Sequence, residues 1–90
     1  MFGVRYTPGF KKSLKLMLKR GYNELLLESI IKQLMLGLPL NPNNKVHLLK
    51  GKYLSCFECH IKPDWLLIYY YDFEKQILVL VDTGTHSDLF

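Results

Sequence analysis

Hydrophobic positions change their spacing about halfway along the chain. In the first half, Phe10, Leu14, Met17 and Leu18 recur three and four residues apart with lysines between them, the mark of one apolar helix face. Thr7 is placed to cap that helix and Pro8 to occupy its first turn, where a missing N–H is no loss. Gly21 ends it, and Asn23 is placed to cap a second helix whose stripe is Leu27, Ile30, Ile31, Leu34 and Leu38. Gly37 and Pro39 stop the second helix. So short a joint predicts an antiparallel helix hairpin. Ahead of it, "FGVRY" alternates weakly and reads as a first strand.

After the turn-rich connection "PLNPNNKVHLLKG" the period shortens. "KYLSCFECHI", "WLLIYYYD" and "QILVLVDTG" read as strands separated by "KPD" and "FEK", which predicts a meander of hairpins. The run "WLLIYYY" is apolar on both faces and suits a central strand. A short tail follows. The order predicts a single α+β domain over residues 1–90, with a two-helix hairpin on one face of a mainly antiparallel sheet.

Composition agrees with a small packed domain: hydrophobic residues make up 49% of the 90 positions and aromatics 13%, far from a disordered chain. No apolar run reaches the roughly 18 residues that would span a bilayer. The N-terminus lacks the basic-then-apolar layout of a signal peptide, so a cytoplasmic protein is expected. Cys56 and Cys59 form a C-x-x-C, but on a strand such side chains point to opposite faces about 10 Å apart. Structural free thiols are therefore expected, rather than a disulfide or zinc pair.

The net charge of +4 is unevenly spread. One basic group precedes the first acid, Glu24; a second, Lys45, Lys50, Lys52 and Lys62, is interleaved with His47, His60 and Trp65. A positive surface fits a phosphate backbone and equally an acidic protein partner.

The three histidines are the candidate chemistry: His47 in the connection, His60 at a strand end and His86 in the tail. Glu58 and His60 are two apart on one strand and share a face, and the next turn returns Asp64 and Trp65 beside them. Each histidine alone has an ordinary surface reading; a convergence with Glu58 and Asp64 would form a site. Imidazoles titrate near neutrality, so a pair can take a proton from one oxygen and give one to another. With lysines to hold phosphates, this chemistry fits metal-free cleavage of RNA by its own 2′-hydroxyl, with Phe90 or Trp65 as a stacking face for a base. The rival is a metal site built from the same histidines and a carboxylate, although no close H-x3-H or H-E-x-x-H spacing supports it.

"HLLKGKY", "ECHIKPDWLLIYYY" and "TGTHSDLF" together resemble the YafQ-type mRNA interferases, bacterial toxins of the RelE/ParE superfamily, and the element order agrees over nearly the whole length. The resemblance implies a RelE-like, microbial-RNase-like fold and endoribonuclease action on mRNA, typically on the ribosome, without a cofactor. It also implies neutralisation by a cognate antitoxin; the apolar, basic surface suits an acidic or amphipathic segment of such a partner, covering either the site or the helix hairpin. The family's functional positions fall on His47, His60, Asp64, His86 and Phe90. Lys45 and Glu58 join them by proximity and charge, and Lys50, Lys52, Lys62 and Trp65 are the remaining candidates for RNA contact. Two positions depart from the pattern: Asp82 and Phe57 stand where such toxins commonly carry arginine, a residue suited to bidentate phosphate contact. The alternative is a superfamily member that acts through protein binding alone, as the ParE branch does.

Overall fold

The computed structural model describes residues 1–90 and runs β1 (Gly3–Tyr6), α1 (Pro8–Lys19), α2 (Glu24–Met35), β2 (His47–Leu48), β3 (Phe57–Lys62), β4 (Trp65–Asp72), β5 (Ile77–Gly84) and α3 (His86–Leu89). The expected α+β architecture is what forms. Five strands make one sheet in the order β1-β5-β4-β3-β2. The pairs β2–β3, β3–β4 and β4–β5 are antiparallel, while β1 lies parallel to β5.

Both helix starts follow from their caps. The Thr7 hydroxyl accepts from Phe10 N–H, with Pro8 in the first turn, and the Asn23 side chain accepts from Leu25 N–H. Gly21 turns the chain between the helices at φ +91°, a conformation open to glycine at little steric cost. Phe10 and Met17 of α1 and Leu27, Ile30, Ile31 and Leu34 of α2 are buried against Cys59, Trp65, Leu67, Tyr69, Leu78 and Leu80 of the sheet. Leu38, expected to extend the α2 stripe, lies beyond the helix end and is exposed. Once the last turn opens, helical spacing no longer sets where a side chain points.

A second, smaller core covers the other face of the sheet. Leu66 and Ile68 of β4 are roofed there by Leu49 and Tyr53 from the connection and by Leu89 of α3. β4 is therefore covered on both sides, with Trp65 through Tyr69 all buried, as its unbroken apolar run requires.

A bulge in β5 decides what this second face carries. Ile68 pairs with Asp82 but Tyr69 pairs with Leu80, which leaves Val81 as the extra residue. Before the bulge Leu78 and Leu80 point into the main core; after it Thr83 does, and Asp82 and Gly84 move to the second face. Without the extra residue strict alternation would drive Asp82 into the main core.

Two expectations about strands need correction. The segment 52–56 is not strand: Gly51–Tyr53 forms a 3-10 turn and β3 begins at Phe57. Conversely, the connection holds a two-residue strand, β2, and the tail a one-turn helix, both too short to leave a periodic pattern. The thiols are free and on opposite sides of the sheet, Cys59 in the main core and Cys56 against the smaller one. No helix is long and apolar enough to cross a membrane.

Candidate active site

The site is built on the second face from two directions. On one side, register places His47 of β2 directly opposite Glu58 of β3. Glu58 Oε1 lies 3.2 Å from His47 Nε2 and 3.7 Å from His60 Nε2, so one carboxylate oxygen serves both imidazoles. The Glu58 side chain is only 7% exposed, whereas those of His47 and His60 are 52% and 23% exposed. A buried carboxylate is thus paired, and its partners face solvent.

Local structure fixes both rings. The Asn44 amide donates to the His60 carbonyl at 2.7 Å and ties the connection to β3. Lys45 follows at φ 47° and turns the chain into β2. His47 Nδ1 lies 3.1 Å from the Lys45 carbonyl, and His60 Nδ1 lies 3.3 Å from that of Pro63. With Nδ1–H donating to a carbonyl, the neutral ring presents the Nε2 lone pair to Glu58. A proton on His47 Nε2 would make its 3.2 Å contact a charge-assisted hydrogen bond, and one on His60 Nε2 an ion pair at 3.7 Å.

On the other side, β5 delivers the tail. Thr85 and Asp88 form a reciprocal capping box around α3, and His86 is the first residue of that turn. The His86 ring packs on Phe90 with centroids 4.9 Å apart, and Phe90 stands edge-on to Tyr53 at 5.7 Å. Lys52 Nζ lies 5.3 Å from the Tyr53 ring centre. The Tyr53 hydroxyl donates to Asp82 Oδ2 at 3.4 Å, so the side chain that roofs Ile68 also meets the carboxylate aimed here by the bulge. His60 pairs with Leu66 and Leu66 with Gly84, so the strand that carries His60 and the strand that leads into α3 lie two strand spacings, about 10 Å, apart.

The three histidines are accordingly two groups, His47–Glu58–His60 and His86–Phe90. Asp64 belongs to neither: it is exposed, and its carboxylate accepts a 2.7 Å hydrogen bond from the Tyr22 hydroxyl beside the helix hairpin. Trp65 must be withdrawn as a stacking face. It is 0% exposed, packs against Tyr22, and donates its indole N–H to Thr83 Oγ1 at 2.8 Å. Direction along the strand explains both results: Trp65, Leu67 and Tyr69 share the helix-side face, and the strand begins there rather than over the site. Lys45, Lys50, Lys52 and Lys62 are all exposed, as is Phe90.

Sequence reasoning gave no role to Tyr53, although it closes the segment "HLLKGKY", or to Asn44. The one open apolar groove, about 500 Å³ and lined by residues such as Leu34, Leu38, Val46, Tyr69 and Tyr71, holds none of the histidines.

A helix hairpin backing one face of a five-stranded sheet, with a histidine–carboxylate cluster and an aromatic-tipped tail on the other, is the arrangement that the resemblance to RelE-like toxins leads one to expect. The match to known proteins narrows this to a family. Residues 2–90 fit the model of the YafQ bacterial toxins of type II toxin-antitoxin systems, and the chain belongs to that family. It is 33% identical over 88 residues to the mRNA interferase toxin YafQ of Escherichia coli K12, covering 97% of this chain and 94% of that protein. A metal-bound toxin from Helicobacter pylori superposes with a TM-score of 0.93 at 39% identity over the whole of both chains. YafQ in the E. coli DinJ-YafQ complex does so with a TM-score of 0.88 at 32% identity, covering 100% of this chain and 99% of that one.

Proposed function

We infer that this protein is the toxin of a type II toxin-antitoxin pair, an endoribonuclease that cuts mRNA in the cytoplasm and is silenced by a cognate antitoxin. Family membership supports the class of activity, and the E. coli DinJ-YafQ complex supports an antitoxin as partner. The observation that carries the chemistry is the shared Glu58 oxygen between His47 and His60, with His86 across the same face.

In this reading one arm of the site takes the proton from the ribose 2′-hydroxyl. The freed oxygen attacks the adjacent phosphorus, the bond to the 5′-oxygen breaks, and the other arm protonates that oxygen as it leaves. The products are a 2′,3′-cyclic phosphate and a 5′-hydroxyl, with no net proton consumed. Glu58 supports the charged form of whichever imidazole beside it carries the second proton. Exposed Lys45, Lys50, Lys52 and Lys62 offer cations to the RNA backbone and to the phosphorane. Phe90, 57% exposed, offers a face to an unpaired base. Asp64 enters as a support of the β3–β4 turn through Tyr22.

The test is cleavage of a defined mRNA by the purified protein in EDTA, with and without ribosomes, beside His47→Ala, His60→Ala and His86→Ala. Discrete cuts that persist in EDTA and fall by 100-fold or more in the variants, about the reach of general acid–base catalysis, are expected. Cuts that vanish in EDTA and return with added copper or zinc would overturn the metal-free reading. A folded protein that cuts nothing, yet binds the antitoxin, would favour the protein-binding alternative that Asp82 raises.

A further inference from the structure

The tail that carries His86 and Phe90 is a single helical turn of four residues, His86–Leu89. An isolated turn of this length is unstable, because nucleation fixes several dihedrals for one hydrogen bond. Its geometry is therefore imposed from outside. Leu89 supplies one anchor by burial in the smaller core. Asp88 supplies the second. Its carboxylate accepts from Thr85 N–H at 2.8 Å and from the Thr85 hydroxyl at 2.9 Å, and Asp88 N–H donating to Thr85 Oγ1 at 3.2 Å closes the capping box. The same carboxylate takes a two-pronged contact from Arg20, Nη1 to Oδ2 at 2.7 Å and Nη2 to Oδ1 at 3.1 Å.

Arg20 is the C-cap of α1 and 68 residues away in sequence. Its cation sits where the helix dipole favours positive charge, and its Nη1 also lies 3.5 Å from Met17 Sδ. One end of the fork is thus held by the helix hairpin, the other by the tail. Isolated exposed ion pairs contribute little, but a bidentate pair with both partners already oriented is the exception. The fit is close: a Cβ added at Gly84 would lie 2.9 Å from Asp88 Cβ, so the chain approaches Asp88 as tightly as glycine allows.

We propose that Arg20 is a positioning residue for RNA cleavage: its fork on Asp88 clamps α3 against the end of α1 and so fixes His86 and Phe90 against the opposite arm of the site. This deepens the nuclease reading and rests on it. Arg20 touches no substrate in this scheme; it acts through Asp88. Loss of the clamp leaves the tail with Leu89, the capping box and the Phe90–Tyr53 edge contact, and a shift of about 1 Å in a reacting group is enough for a loss near 100-fold.

The experiment compares the full-length parent with Arg20→Ala and Arg20→Lys, measuring kcat and KM on a short single-stranded RNA. Amide exchange and histidine ring resonances of residues 85–90 are recorded on the same samples by NMR. Arg20→Ala is expected to lower kcat by about 10- to 100-fold with KM within threefold, and to speed exchange in the tail alone. Arg20→Lys, which keeps the charge but loses the planar fork, is expected to fall between. Wild-type kcat with a protected tail in Arg20→Ala would overturn the proposal. So would a rise in KM at constant kcat, which would make Arg20 an RNA contact, or a fall in kcat with the tail still ordered. A parent that cuts no RNA, either free or on ribosomes, would refute the nuclease reading, while the NMR comparison would still decide whether Arg20 holds His86.

Discussion

The buried hydrogen-bond relay at the end of β4 offers the sharpest quantitative prediction. Trp65 Nε1 donates to Thr83 Oγ1 at 2.8 Å, and that hydroxyl donates to the Leu66 carbonyl at 2.7 Å. Trp65 is 0% exposed and Thr83 1%, so no water can replace either partner. Thr83→Val keeps the shape and strands the indole N–H, which carries a desolvation penalty of about 1–3 kcal/mol. The Leu66 carbonyl also loses a donor, which adds about 1 kcal/mol. Thr83→Ser keeps both bonds and removes one buried methyl, for a loss of about 1 kcal/mol.

Urea titrations followed by Trp65 fluorescence and calorimetry should therefore rank the serine variant well above the valine variant. A deficit of 2 kcal/mol in a 90-residue domain corresponds to a fall in Tm of roughly 8–16 °C. Pairing Thr83→Val with Trp65→Phe closes a double-mutant cycle, read by calorimetry alone. The double variant should be less destabilised than the sum of its parts by about 1 kcal/mol, because the stranded N–H is gone. Equal stability of Thr83→Val and Thr83→Ser, or a coupling of zero, would refute the assignment of Trp65 to the core and reopen it as a surface residue.

Three further outcomes are expected. Glu58→Gln should reduce cleavage by 100-fold or more while circular dichroism shows the fold intact, since it removes the charge both imidazoles share. The Arg20 guanidinium and the Thr85 N–H hold the Asp88 carboxyl well below its ordinary value near 3.8, so its contribution is complete at neutral pH and is lost as pH falls below about 4. Denaturation curves of the parent and Asp88→Asn should accordingly differ at pH 7 and converge in acid. Burial pushes the Cys59 thiol up to about 12 and leaves it inaccessible, so a thiol reagent should modify half-buried Cys56 first and Cys59 only on unfolding.

The helices were legible because their information is local. Thr7, Pro8, Asn23 and Gly21 act within one turn of where they stand, and the apolar stripes repeat often enough to be counted. β4 was legible as central because no other position buries five successive residues. The β5 bulge was not: Val81 looks like any strand residue, and only cross-strand register shows that it shifts Asp82 to the site face. The same reason hid the fate of Trp65, whose burial depends on which face of β4 meets the helices. The site was half legible. Residue chemistry singled out His47, Glu58, His60 and His86, whereas the Arg20–Asp88 fork joins residues so far apart that no spacing rule could pair them.

The parallel pairing of β1 with β5 has a consequence for the order of events during synthesis. β1 is among the first segments made, yet Gly3 through Tyr6 have no strand to pair with until Ile77 through Leu80 exist. The helix hairpin between them can form early from local contacts, but its apolar faces wait for the β-meander to cover them. Long-range closure of this kind is slow and comes late. His86 lies beyond β5, so a partly made chain holds His47, Glu58 and His60 without the opposite arm. The two arms of the candidate site therefore meet only once the sheet has closed.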